Sequence, residues 1–517
     1  MSWILGSFLG LPDEILSLIF RNLADLPYTD AELTEPGALS ASARSQMRED
    51  CLARLDLVHI CLTCRRFNEL ATPLLYHTFV QQGWIEDCEE GSEESTTTRF
   101  SNLENPIPNC VRFMITLLKK PELTKHVRRI IWIARRVGST ENGARQKPSR
   151  LNKEQQLWDH ASRLKALTTL QKATVHPRSA NYLSALLHLE RLQDLHHRPR
   201  LRSATRTLEG LLGLTRQINL LICNDGMCEE DEHRIRLDEH SIHPGTLQGL
   251  KHLSLDWDLV GSQHMRVITK TDFANLKRLT ARFYDYNSLS LGPVVGKDTD
   301  GSWKYGPSNV SVEELCVSMA GHDTADLMIH RFTRLRKIEI RLNSIPHFLW
   351  GWRQWDDVFE ALHKSKDLQE SLGDLTLEAG EGDPQCRWPV AVGPDSILHM
   401  RKYRNLRVLS LHQSVFKQFA VNRDHPVAPL VEILPSTLER LRITDFDRGV
   451  CQQLDTFLSR LDSFSHLKRV EVVYGDFCLH DLYRDGPPPD DASKFKDYVA
   501  MLSQTLKSYG IQFVEVT

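Results

Sequence analysis

Apolar residues recur along this chain in two rhythms. Over the first seventy residues the rhythm is helical. Ile15, Ile19 and Leu23 fall at i, i+4 and i+8, with Leu16 beside them, which predicts an amphipathic helix. Pro12 suits its first turn, because the missing N–H has no intrahelical partner to lose there. Asp13 and Glu14 put negative charge in the same turn, where the helix dipole favours it. The helix should stop near residues 25–27. Residues 28–50 are polar, carry Pro36-Gly37 and read as an inserted loop. Helical spacing returns at Leu52, Leu55 and Val58. A third segment holds Leu62, Cys64, Phe67, Leu70, Leu74 and Leu75, and Pro73 inside it predicts a kink or a restart.

Beyond about residue 120 the rhythm changes. The unit apolar-x-x-Leu-x-x-apolar-x-apolar recurs, and its alternating end reads as a strand. Taking the first residue of the alternation as an anchor, the copies sit at Leu253, Leu279, Leu315, Ile338, Leu375, Leu409, Leu441 and Val470. Helical stripes fill several of the spacers: Trp355, Val358, Phe359 and Leu362; Leu454, Phe457, Leu458 and Leu461; Phe495, Val499, Leu502 and Leu506. Strand, helix, strand implies parallel strands with crossover connections. Anchor spacings run from 23 to 37 residues, straddling and exceeding the roughly 20–29 of regular leucine-rich repeats. No Asn or Cys ladder position stands out. The expected class is therefore α/β: a small N-terminal helical domain, then an irregular leucine-rich-repeat-like solenoid with parallel strands and outer helices. Residues 127–133 read as its first strand. Residues 164–175, 186–195 and 214–222 read as further turns. Residues 511–516 read as its last strand, with Gly510 as a helix C-cap.

Composition sharpens this picture. Leucine supplies 74 of 517 residues, and much of it occupies the repeat anchors. The net charge of −3 leaves no global basic field for nucleic acid or anionic lipid. No stretch approaches the roughly 20 apolar residues of a membrane helix, and the start of the chain lacks the basic segment and cleavage site of a signal peptide. Eleven unevenly spaced cysteines read as free thiols in a reducing cell interior. Residues 86–95 form an acidic stretch. Residues 139–150, 228–246, 292–309 and 484–492 read as exposed connections. Repeat insertions of this kind tend to crowd one rim, often the binding face.

Candidate chemistry is sparse. Gly292, Gly296, Lys297 and Asp298 fall one residue short of a phosphate-binding loop, and Asp298 replaces the hydroxyl that would hold magnesium. Cys61 and Cys64 have no second pair nearby for zinc and read as small core thiols. Cys223, Cys228, His233, His240 and His243 match no known metal spacing and read as a charged loop. Trp350, Trp352 and Trp355 read as packing at a helix start, with Trp352 the candidate substrate anchor if it is exposed. No catalytic, cofactor or metal residues are expected.

The N-terminal residues do carry a resemblance. Leu11-Pro12-Asp13-Glu14-Ile15-Leu16 with Ile19 and Phe20, then Leu55 and Val58, then Leu62-x-Cys64-Arg65-Arg66-Phe67-Asn68-x-Leu70-Ala71-x-Pro73-Leu74-Leu75-Tyr76, resembles an F-box. The closing run is similar to fungal F-box proteins with leucine-rich-repeat-like bodies. This resemblance implies an F-box domain over 1–80 with an insertion at about 25–50, longer than the family usually has. An acidic connector over 81–110 and the solenoid over 111–517 would follow. It implies that Leu11, Pro12, Ile15, Leu16, Ile19, Leu62, Cys64, Phe67 and Leu70 form the adaptor-facing or F-box-core set. It implies a non-catalytic substrate-recognition subunit of an SCF-type cullin–RING ubiquitin ligase in the cytoplasm or nucleus. Its partners would be a Skp-type adaptor, through it a cullin, and a protein substrate. The alternatives are an F-box scaffold working outside a ligase, and an enzyme of unrecognised type.

Overall fold

The structure is a computed structural model. It describes residues 10–24, 56–82, 107–133, 160–172, 177–189, 204–224, 247–257, 274–283, 311–320, 328–329, 331–342, 354–379, 398–412, 430–446, 450–474 and 490–516. The class is mixed α/β with parallel strands, as the two rhythms predict. The chain divides into two compact units, Met1–Leu276 and Lys277–Thr517.

The first unit opens with helix α1 (Asp13–Ala24), helical residues 56–63 (α2) and helix α3 (Arg65–Leu75). Strand β1 (Thr78–Gln82) follows directly. It pairs in parallel with β2 (Arg129–Ile133), so the strands start about fifty residues before the segment that the sequence pattern singles out as first. Strand β2 pairs with β3 (Leu220–Asn224), and β3 with β4 (His252–Trp257), all parallel. The connections carry α4 (Ile107–Lys119), α5 (His160–Lys172), α6 (Pro177–Leu187) and α7 (Ala204–Leu214). Helices α6 and α7 touch closely at Gly210, where a β-carbon would lie 2.7 Å from the Tyr182 ring. Tyr182 and Thr207 share a buried hydrogen bond of 2.9 Å at the same contact.

Among its described residues, the second unit holds eight parallel strands paired in chain order: β5 (Arg278–Phe283), β6 (Glu314–Ala320), β7 (Lys337–Leu342), β8 (Asp374–Ala379), β9 (Val408–His412), β10 (Arg440–Phe446), β11 (Arg469–Tyr474) and β12 (Gln512–Val516). Helices α8 (Gln354–Lys364) and α9 (Lys366–Ser371) precede β8. The short α10 (Leu430–Ile433) precedes β10, α11 (Cys451–Leu458) precedes β11, and α12 (Asp490–Ser508) precedes β12.

The leucine anchors meet in register. Leu279, Leu315, Ile338, Leu375, Leu409, Leu441, Val470 and Phe513 are successive partners across the second unit. Phe79, Ile130, Leu221 and Leu253 do the same in the first. All but Phe513 are buried. A one-residue slip would turn each of these side chains to the opposite face, so burial specifies the register.

The turn before most strands repeats one hydrogen-bond pattern. A single carbonyl accepts two successive N–H groups from the next turn: Lys277 from Glu313 and Glu314, Glu313 from Arg336 and Lys337, Arg336 from Gly373 and Asp374, Gly373 from Arg407 and Val408, Arg407 from Glu439 and Arg440. The same pattern joins His77 to Arg128 and Arg129, and Asn219 to Lys251 and His252. Side chains reinforce it. Asn275 Nδ2 donates to the Gln248 carbonyl at 2.6 Å, Ser371 Oγ to Leu335 at 2.8 Å and Thr437 Oγ1 to Leu406 at 2.8 Å, and Asn405 donates likewise to Glu370. The absent Asn ladder of the sequence is thus present in function, filled by Asn, Ser and Thr in turn.

Gly510 closes α12 as expected. Its φ is +75°, the Ile511 N–H reaches the Leu506 carbonyl and the Gly510 N–H that of Lys507, which together make a Schellman cap. Nothing lies within 4 Å of a β-carbon placed there, so a Gly510→Ala loss reports backbone conformation alone. We expect it to cost about 1–2 kcal/mol in urea unfolding. An unchanged midpoint would contradict the left-handed cap.

Candidate functional site

Two surfaces carry features beyond the core, one in each unit. The first is built on the N-terminal helices. Leu16 and Phe20 of α1, Leu57 of α2, and Phe67 and Ala71 of α3 fill one small core. The Phe20 and Phe67 rings meet edge to face at 5.5 Å, a favoured aromatic geometry. Leu11, Ile19, Ile60, Cys61, Cys64, Leu70, Leu74 and Leu75 pack around it half-buried.

Each of the first two helices also shows a second apolar pair to solvent. Ile15 and Leu18 on α1 are 44% and 57% exposed, and Val58 and Leu62 on α2 are 36% and 78% exposed. Spacings of three and four keep each pair on one helix side. Pro12 is exposed beside them. The nine residues singled out in the sequence therefore divide. Leu16 and Phe67 are core. Leu11, Ile19, Cys64 and Leu70 are half-buried. Pro12, Ile15 and Leu62 face solvent.

Two details went unread in the sequence. Cys64 is not part of a helix. It is the extended N-cap of α3, with φ −158° and ψ 165°, and its Sγ accepts the Phe67 N–H at 3.4 Å. The chain therefore breaks there, and Leu62 belongs to α2. An Asn, Asp or Ser would have announced that cap. Cys hides it. Pro73 sits within α3 without ending it. Arg66 then ties α3 to the start of α1. Its Nη2 donates to the Leu11 carbonyl at 2.6 Å and its Nε to Asp13 Oδ1 at 2.7 Å. Nothing local marks Arg66, because its partners lie over fifty residues upstream.

The second surface is the face of β5–β12 opposite the buried anchors; it is mostly polar, and many of its charges are paired. Arg278 meets Glu314 at 3.7 Å, Lys337 meets Asp374 at 3.9 Å, and Arg341 bridges Glu339 and Glu378 at 2.8 and 3.3 Å. Burial, with Glu339 alongside, pushes the Cys316 thiol up to about 12, so it stays protonated at neutral pH. Glu471 on β11 is 2% exposed. Arg440 Nη2 donates to both its oxygens at 2.8 Å, and Arg469 also contacts it. Burial would raise its carboxyl, but the two guanidiniums outweigh that and hold it below the ordinary value of 4.5.

Several sequence candidates lie outside the described residues: the insertion at 25–50, the acidic stretch 86–95, Trp350 and Trp352, Cys228, His233, His240 and His243, and the glycines 292 and 296 with Lys297 and Asp298. Cys223 is buried in β3. Among the described residues, no group of three or more His, Cys, Asp or Glu side chains is placed to hold a metal ion. No helix among them is long and apolar enough to cross a membrane.

Two outcomes check this geometry. Arg66→Ala removes two charge-assisted hydrogen bonds and should destabilise the N-terminal helices by about 1.5–3 kcal/mol; hydrogen exchange of α1 unchanged from wild type would contradict it. Glu471→Gln leaves paired arginines facing a neutral group and should cost about 3–5 kcal/mol. In the intact protein, the contribution of Glu471 is complete above pH 4.5 and lost as pH falls through its lower folded value. Acid unfolding of Arg440→Gln should then begin at a higher pH than in wild type.

Comparison with known families and with curated proteins found no match to this chain.

Proposed function

We propose that the chain is a substrate-recognition subunit of an SCF-type cullin–RING ubiquitin ligase. The N-terminal helices dock a Skp-type adaptor, which leads to a cullin, and the strand-bearing body holds a protein substrate. The observation that supports this reading is the pair of exposed apolar stripes, Ile15 with Leu18 and Val58 with Leu62, left over after α1 and α2 have filled their own core. Large aliphatic side chains in solvent forgo about 1.5–3 kcal/mol each relative to burial. A partner with a complementary apolar groove would recover much of that. The F-box resemblance of Leu11 to Tyr76 supplies the kind of partner.

The chain itself then needs no covalent chemistry. Its contribution is proximity: a substrate held on the body meets a ubiquitin-charged enzyme at high effective concentration. Repeating units suit this role, because each adds a strip of surface without rebuilding the core.

The test uses residues that the fold can spare. The double variant Ile15→Asp, Leu62→Asp changes only exposed side chains and should fold normally by circular dichroism. We expect it to lose co-purification with the adaptor while candidate substrates remain bound. Wild-type adaptor recovery with the folded double variant would overturn the assignment.

A further inference from the structure

On the polar face of the second unit, the charge balance breaks down at β10. Arg440, Arg442 and Arg469 all sit on this face, and Arg442 lies directly across from Glu471 in the strand register. Among the described residues, the carboxylate at that position is already taken, since Arg440 and Arg469 hold Glu471. Arg442 is left with no hydrogen bond or ion pair to any described residue, and its Nε is enclosed and unmatched. Among the described residues, three guanidiniums thus share one carboxylate.

The neighbours of Arg442 are equally unmatched. Ser410 is its register partner on β9. It is 3% exposed, and its Oγ has no hydrogen-bond partner among the described residues. Thr444, two residues along β10 on the same face, has an enclosed Oγ1 in the same condition. Buried hydroxyls without partners cost about 1–3 kcal/mol each, and native folds keep few of them. Here two flank one unpaired arginine.

The backbone is also unusual at this point. Between Ile443 and Phe446 the register of β10 against β11 slips by one residue. Asp445 in that bulge has φ +56°, the left-handed region, without being glycine. Its carboxylate lies 3.4 Å from His412 Nε2. Bulges and left-handed non-glycine residues gather where a side chain must be re-aimed for a task.

We infer that Arg442, with Ser410 and Thr444 beside it, is a binding site for an oxyanion carried on an acidic peptide segment of a partner protein. A planar guanidinium with its terminal nitrogens free accepts a carboxylate or a phosphate in a forked pair. Small rotations of the two hydroxyls give it further donors. Arg440 and Arg469 add a positive field that Glu471 only partly cancels. The inference rests on the ligase reading solely in calling that partner a substrate, to which it assigns a class: proteins presenting an acidic or phosphorylated segment.

The experiment measures the site directly, in the full chain and without any adaptor, so its outcome is separate from adaptor docking. The probes are inorganic phosphate and three fluorescein-labelled decapeptides of Gly and Ser, one with three Asp, one with three phosphoserines and one with three Lys. Binding is read by anisotropy at 50 and 150 mM NaCl, with phosphate as competitor. We expect the Asp or the phosphoserine peptide to bind, more weakly at the higher salt, and the Lys peptide not to bind. Arg442→Gln should weaken binding at least tenfold, and Arg407→Gln, a rim arginine paired with Glu439, less than twofold. Ser410→Ala with Thr444→Val should weaken binding severalfold while leaving thermal stability equal or higher, because unmatched polar groups are removed. Failure of both acidic peptides to bind, or equal binding by Arg442→Gln, overturns the inference. Competition by phosphate against the phosphoserine peptide alone assigns the phosphate source; competition against neither assigns the peptide carboxylates.

Discussion

Within each unit, most steps from strand to strand depend on one constraint. The carbonyl in the turn before a strand must accept two successive N–H groups from the next turn, as Lys277, Glu313, Arg336, Gly373 and Arg407 do. That shared acceptor sets where each new strand starts. Once the start is set, the leucine, isoleucine and valine anchors fall beside one another and bury. Each shared acceptor gives two backbone N–H groups of the next turn a partner. Asn275, Ser371 and Thr437 tighten the same turns from their side chains.

The constraint fixes one face and frees the other. Alternation along each strand sends the anchors inward and leaves every second residue on the opposite face, where polar residues such as Thr280, Ser318, Ser410 and Glu471 are held. Most of that face in the second unit has settled into ion pairs, such as Arg278 with Glu314 and Arg341 with Glu378. These pairs are largely exposed or partly exposed and contribute little to stability. The departure at Arg442 stands out against that background of matched charge. In the first unit the same economy holds on the helices: Leu16, Phe20, Leu57 and Phe67 complete a core, and Ile15, Leu18, Val58 and Leu62 remain available for a partner.

Much of the architecture was legible in the sequence, and the reason is periodicity. The eight anchors from Leu253 to Val470 each occupy the same strand position, although their spacing ranges from 23 to 37 residues. Length varies in the connections, whereas register is local to the Leu-x-x-Leu-x-Leu run. Gly510 was legible because a left-handed cap selects glycine. The short β1 was missed, since Thr78-Phe79-Val80-Gln81-Gln82 carries too few apolar residues to show a period. Cys64 was missed as a cap because thiols rarely serve as one. The surplus at Arg442 could not be read at all: it arises from β9, β10 and β11 lying side by side, and its outermost residues, Ser410 and Glu471, are 61 positions apart.

The division of labour between the helices and the strands is the center of the functional proposal, and hydrogen exchange reads it most directly. The full chain would be followed by mass spectrometry with and without a saturating Skp-type adaptor. The proposal predicts new protection in peptides covering α1 and α2, residues 13–24 and 56–63, and none in the strands β5–β12. Protection confined to the strands, or no change in α1 and α2 at saturation, would contradict it.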